Sequence, residues 1–341
     1  RNKRSIVLDL KQDVARDALL RLAAGADVFV HNMRPQAIAR LGLGYEKLAA
    51  ARPDIIYCGS YGFRASGPYG NKAAFDDMIQ AASGLAALQN RGAAPRYVTS
   101  AIVDKITGMA VVNAVLMALY HRERSGQGQC VEVPMFETMV NFNMVEHLYG
   151  RTYEPARGRT GYPRTLSPDR RPYATKDGYI GVLPYTDRQW QAFFVLAGRP
   201  DLAADPRYQS MNKRLVNIDA LYADVSKALA TQSSAQRLEA LDAANIPAMP
   251  VHDPDALAQD AHLLAGDFWQ IRNEPELGDL RFPGPAAHFS ATPGVFRRLP
   301  PRLGEHSVEI LAEAGYGEED IDAMLAAGAT LQHHGHRLPI G

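Results

Sequence analysis

Short apolar runs alternate with amphipathic stretches from the start of this chain, and few folds accommodate that rhythm. Residues 5–10 (SIVLDL) read as a strand. Residues 13–24 place Val14, Ala18, Leu19, Leu22 and Ala23 at helical spacing, and Gly25 is a natural stop. A second strand spans 28–31, a short helix runs from Pro35 to Gly42, another covers 45–51, and a third strand spans 55–58. Strands joined by helical crossovers run parallel, which predicts an α/β domain built on a parallel sheet. Such sheets hold ligands at the carboxyl ends of their strands. Two loops fall there: Asn32-Met33-Arg34-Pro35, and the glycine-rich segment 59–63 (GSYGF).

Further along, residues 104–122 carry Met109, Val112, Val115, Leu116 and Leu119 as an apolar helical stripe, closed by the turn 125–129. A strand at 130–134 and a helix at 137–149 follow. Residues 151–172 are rich in Pro, Gly and Arg without periodicity and read as a linker or crossover. A hairpin is expected over 173–183, turning at Lys176-Asp177-Gly178. Helices are expected at 187–197, 212–231 and 234–244, and a strand at 248–252. Two helices, 306–314 and 318–327, end the fold. The expected organisation is thus a large α/β domain over 1–150, a linker over 151–172, a smaller α+β domain over 173–275, and a return to the large domain over 276–341.

Composition removes several function classes. With 37 basic and 37 acidic side chains the formal net charge is +0, which argues against a nucleic-acid partner. No uninterrupted apolar run nears the roughly 18 residues of a membrane span, and no signal peptide is visible, so a cytoplasmic protein is expected. Cys58 and Cys130 both sit in apolar strand-like runs and read as buried thiols of a reducing compartment. His333, His334 and His336 could bind metal, but a solvated terminus accounts for them, and no metal site is expected. The chain lacks the glycine fingerprint of dinucleotide binding, the P-loop, the paired-histidine zinc motif and the G-x-S-x-G elbow.

What remains is Asp104, at the start of the long helix. A carboxylate there faces the positive end of the helix dipole, which keeps it ionised and oriented. Such a group can act as a nucleophile. An aspartate at that place is ordinarily only a helix cap.

The surrounding motifs add to this. Asn2-Lys3-Arg4-Ser5-Ile6-Val7-Leu8-Asp9-Leu10-Lys11, Asp27-Val28-Phe29-Val30-His31-Asn32-Met33-Arg34-Pro35 and Arg40-Leu41-Gly42-Leu43-Gly44-Tyr45-Glu46 resemble, in order, blocks of the family III CoA-transferases. So do Gly62-Phe63, Gly67-Pro68-Tyr69, Phe75-Asp76 before Gln80-Ala81-Ala82-Ser83-Gly84, Asp104 with Thr107-Gly108, the run from His121 to Gln129, Phe282-Pro283-Gly284-Pro285 and Leu303-Gly304-Glu305-His306. The resemblance covers nearly the whole chain. It implies that family's fold, a Rossmann-like large domain plus a smaller α+β domain, with Asp104 as the nucleophile. It also implies CoA contacts at Leu8, Lys11, Asn32, Met33, Arg34, Arg40, Ala73, Ala74, Phe75 and Asp76. Coenzyme A and its acyl esters enter as substrates, with a small carboxylic acid as the other partner and no permanently bound cofactor. An interlocked homodimer is implied, as is one more strand–helix–strand unit ahead of Arg1. Lys72 and Lys105 read as surface charges.

Three departures stand out. Met33 takes a place where an aromatic is usual, Gln36 one where Gly is usual, and the glycine run of the second domain is missing. Two other functions fit the residues less well. An α-methylacyl-CoA racemase resembles the same fold but carries His before the aspartate matching Asp76; here Phe75 stands there and cannot exchange a proton. A CoA-binding protein without turnover would have no need of a carboxylate at position 104.

Overall fold

The parallel sheet is present and small. The computed structural model describes residues 1–90 and 93–333, which fall into two units. The larger combines Arg1–Asn143 with the chain from Ala261 onward, and the smaller is Met144–Asp260.

The larger unit begins with β1 (Val7–Leu8), α1 (Asp13–Ala24), β2 (Val28–His31), α2 (Pro35–Arg40), α3 (Tyr45–Ala51) and β3 (Ile56–Gly59). It continues through α4 (Asp76–Ala82), α5 (Leu85–Leu88), α6 (Ile102–Ser125), β4 (Gln129–Glu132) and α7 (Met135–His147), which runs on into the smaller unit. β2, β3 and β4 form a parallel sheet with β3 central, Val28 opposite Ile56 and Ile56 opposite Gln129. All four β3 residues are buried, as a central parallel strand covered on both faces requires. Leu43, Leu48, Ile55 and Tyr57 pack beneath it with α2 and α3; each fully buried aliphatic side chain contributes about 1.5–3 kcal/mol. Gly128 lets β4 approach β3, because a Cβ there would lie 2.3 Å from the Ile55 carbonyl oxygen.

The smaller unit has its own core. It contains α8 (Pro163–Leu166), β5 (Tyr173–Ala174), β6 (Tyr179–Val182), α9 (Asp187–Leu196), α10 (Pro200–Ala204), α11 (Met211–Val216), α12 (Ile218–Leu229), α13 (Ser234–Ala243) and β7 (Ala248–Pro250). β5, β6 and β7 form an antiparallel sheet. Trp190, Phe193, Phe194, Tyr208, Leu221 and Leu229 fill the centre. The helix expected over 212–231 is two helices, because the chain turns at Asn217 between α11 and α12.

The chain returns with α14 (Ala261–Ala265), the hairpin β8 (Trp269–Glu274) and β9 (Gly278–Pro283), α15 (Ser307–Glu313), α16 (Glu318–Ala326) and β10 (Thr330–Leu331). The return therefore comes at 261 rather than 276, with an additional hairpin. β1 also departs from expectation. It pairs antiparallel with β10 and stays outside the parallel sheet, with Leu8 opposite Thr330. Cys58 is buried, as expected, but Cys130, on the edge strand β4, is exposed. His334 and His336 lie outside the described residues.

α6 differs most from what its pattern implies. Met109, Val112 and Leu116 of its apolar stripe are 69%, 56% and 58% exposed, so the stripe faces outward in the single chain. By length and composition α6 could cross a membrane: an 18-residue window has mean hydropathy 1.7 and is 17% buried. Counting uninterrupted apolar residues overlooks it, because charged residues are tolerated within such a window. The core helix of a soluble protein passes the same test.

Candidate active site

The carboxyl ends of the three parallel strands converge on one cavity. After β2 come Asn32 and Arg34, after β3 come Ser60, Tyr61 and Gly62, and after β4 comes Met135. Lys72, Ala73, Ala74 and Phe75 line the cavity from the segment entering α4, and Asp104, Thr107 and Gly108 line it from α6. Its volume is about 530 Å3. The walls approach closely: a Cβ on Gly62 would lie 2.5 Å from that of Ala74.

Asp104 sits in the first turn of α6, whose cap position is Ala101 and lacks a side-chain cap. Asp104 therefore stands inside the first turn and does not cap its own helix. Asp76, at the start of α4, does the capping from outside, its Oδ2 accepting the Asp104 backbone N–H at 3.0 Å. Asp76 Oδ1 accepts from Gln80 Nε2 at 2.6 Å, and Gln80 Oε1 accepts from the Val98 N–H at 2.8 Å. Gln80 is buried and so fixes the segment that leads into α6. Among the described residues no donor engages the Asp104 carboxylate, which is exposed to the cavity. A charge held at a helix start by its backbone, with its side chain unspent, is poised to attack an electrophile.

Two cations share the cavity. The Arg34 Nη1 donates to the Asn71 carbonyl oxygen at 3.1 Å, and Lys72 Nζ lies 4.1 Å from the Tyr69 ring centre. Neither has an acidic partner among the described residues, so both are available to an anionic ligand. Lys72, read from the sequence as a surface charge, therefore belongs to the cavity, whereas Lys105 Nζ is occupied by Ser100 Oγ at 2.7 Å. Thr107 follows Asp104 on the same helical face. Its hydroxyl is buried without a hydrogen-bond partner, and an unpaired buried donor costs about 1–3 kcal/mol unless something fills the need. Behind the sheet end, burial holds the His31 imidazole pKa below its ordinary value, with the Met33 backbone opposing weakly. Tyr61 donates to Glu132, and burial first, then that bond, pushes its phenol well up.

The proposed ligand contacts divide. Asn32, Arg34, Ala73, Ala74 and Phe75 line the cavity with Asp104, and Phe75 is 74% exposed. Asp76 stands behind them as the helix cap. The other four lie elsewhere. Leu8 packs beside α15 and α16, Met33 packs with the cluster under β3, Lys11 is exposed in the turn before α1, and Arg40 is exposed at the end of α2. Met135 was not singled out from the sequence, and Tyr61 and Thr107 stood there only as members of motifs, without a role of their own. Met135 could have been sought as the residue just past a parallel strand.

Comparison with known proteins follows the same lines. Residues 1–307 match the family described as CoA-transferase family III. An acyl-CoA transferase of Fusarium pseudograminearum is 31% identical over 328 residues, covering 94% of this chain and 71% of the relative. A formyl-CoA:oxalate CoA-transferase of Streptomyces avermitilis is 30% identical over 349 residues, covering 96% and 84%. The solved structure of a CaiB/BaiF family protein from Brucella suis superposes with TM-score 0.74 at 27% identity, covering 92% of this chain and 82% of that one.

Proposed function

Because the chain belongs to CoA-transferase family III and is a CoA-transferase, we propose that Asp104 carries the exchange as a covalent nucleophile. The observation behind this is the spare Asp104 carboxylate, whose capping duty Asp76 has taken over. The carboxylate attacks the thioester carbonyl of the donor acyl-CoA, forming an acyl–aspartyl anhydride and expelling the CoA thiolate. The thiolate then attacks the aspartyl carbonyl, giving an aspartyl-CoA thioester and releasing the donor acid. The acceptor carboxylate attacks the carbonyl of that thioester, expelling the CoA thiolate again and re-forming an anhydride. The thiolate finally attacks the acceptor's carbonyl, so that the new acyl-CoA leaves and Asp104 is regenerated. Each step trades one activated acyl for another.

The chain's own residues have defined parts in this scheme. Arg34 and Lys72 meet the CoA phosphates, Asn32 the rest of the nucleotide portion, and Phe75 with Ala73, Ala74 and Met135 forms the dry wall that protects the anhydride from water. The unpaired Thr107 hydroxyl donates to the oxygen that gains charge as the aspartyl carbonyl is attacked. Phe75 has no exchangeable proton, which favours transfer over a two-base racemisation at this cavity. Two interlocked subunits in the cytoplasm complete the proposal, the outward α6 stripe being covered by the second copy.

The test is isotope exchange between an acyl-CoA and a carboxylic acid. Replacing Asp104 by Asn should take exchange to background while the protein still binds CoA. Undiminished exchange in that variant would remove Asp104 from the chemistry.

A further inference from the structure

We infer that the smaller unit carries its own binding site for a small organic monocarboxylate with a compact apolar tail, seated on Arg164. Arg164 lies in α8 and is partly buried. Its Nε donates to the Tyr222 hydroxyl at 3.2 Å, and the Tyr162 hydroxyl also faces its guanidinium. No acidic side chain pairs with it among the described residues. These two hydroxyls outweigh the burial of the guanidinium, and a charge-assisted bond to an anion would add to them.

The surroundings define that anion. On one side Arg164 borders a half-open cavity of about 140 Å3, walled by Tyr162, Leu183, Tyr185, Trp190, Leu215 and Tyr222. An apolar cavity of about 150 Å3 accommodates a benzene-sized molecule. On its other side Arg164 opens to a groove that also holds Arg170 and Arg171. Of these, Arg171 is engaged by Asp169 at 3.1 Å, while Arg170 has no acidic partner among the described residues. Arg164 thus stands between a groove with cationic side chains and a cavity with aromatic walls, which suits an anion that carries an apolar tail. Arg214, the other cation of the chamber, is spent on Asp187 and on the Tyr208 carbonyl oxygen, so it forms wall rather than seat. A single planar fork with hydroxyls beside it suits one carboxylate, and the largely aromatic and apolar walls disfavour a second charge.

The site reports on itself, because Trp190 lines it and Trp269 is the chain's other tryptophan. The full chain carrying Trp269→Phe would be titrated with benzoate, isobutyrate and the uncharged benzamide, following Trp190 emission. The inference predicts a saturable change with benzoate, a smaller one with isobutyrate, and none with benzamide at the same concentrations. Adding Arg164→Gln should weaken benzoate at least tenfold, and Arg164→Lys should restore part of the loss. Should Arg164→Gln fail to fold, the acid–amide comparison at the intact site decides alone. Equal binding of acid and amide, no binding, or undiminished binding in Arg164→Gln would each overturn the inference. Asp104 takes no part in this readout, so the outcome leaves the transfer proposal standing or falling by its own test.

Discussion

Asp104 shows how far a single residue can be read from sequence. Its place at a helix start was visible, but a carboxylate there ordinarily caps its own helix. What separates the two roles is Asp76, which lies 28 positions earlier and is brought to the α6 amide only by the packing of α4. No local signal carries that pairing. Lys72 was discounted for the same reason: nothing in its neighbourhood states that its loop folds over the strand ends. Asp76 is accordingly a positioning residue. Asp76→Ala should cost about 1 kcal/mol of stability through the lost cap, measured by urea unfolding. It should also lower kcat with little change in the KM for acyl-CoA, because Asp104 loses its aim while Arg34 and Lys72 remain. A change confined to KM would assign Asp76 to binding.

Elements were legible where their burial is set by their own pattern. α1, β2 and α3 fall where helical and strand periodicity put them, since each covers one face of the same core. β1 was recognised as a strand but not in its partnership, because an antiparallel contact with β10, more than 300 residues away, leaves no trace in local sequence. α6 was recognised as a helix, but its apolar stripe says nothing about which face meets the core. At the end of β2, His31 is nearly buried among Tyr57, Tyr61 and the Gly59 backbone. Its folded pKa lies below the ordinary 6.5, so the unfolded chain binds its proton more tightly. The stabilisation from keeping His31 neutral is complete above that value and is lost as pH falls through the window beneath it. Urea midpoints between pH 7.5 and 5 should fall more steeply for the native chain than for His31→Asn. Equal slopes would mean that His31 is not held neutral.

At the scale of the whole molecule, the ordered motifs revealed the family and its two-part architecture, whereas the unit boundaries depended on contacts between distant segments. In the proposed dimer the exposed stripe of α6, with Met117 and Tyr120 also 72% and 66% exposed, is the face that a second copy would cover. Burial against a second copy predicts a dimer by light scattering, and Met117→Glu should shift it to monomer and reduce exchange. A native chain that remained monomeric at micromolar concentration would contradict that assembly. The covalent role of Asp104 is tested by intact and peptide mass spectrometry after incubation with an acyl-CoA, with and without hydroxylamine. An acyl or CoA adduct is expected on the peptide containing Asp104, removed by hydroxylamine and absent from Asp104→Ala. No adduct, together with full exchange activity in Asp104→Ala, would contradict it.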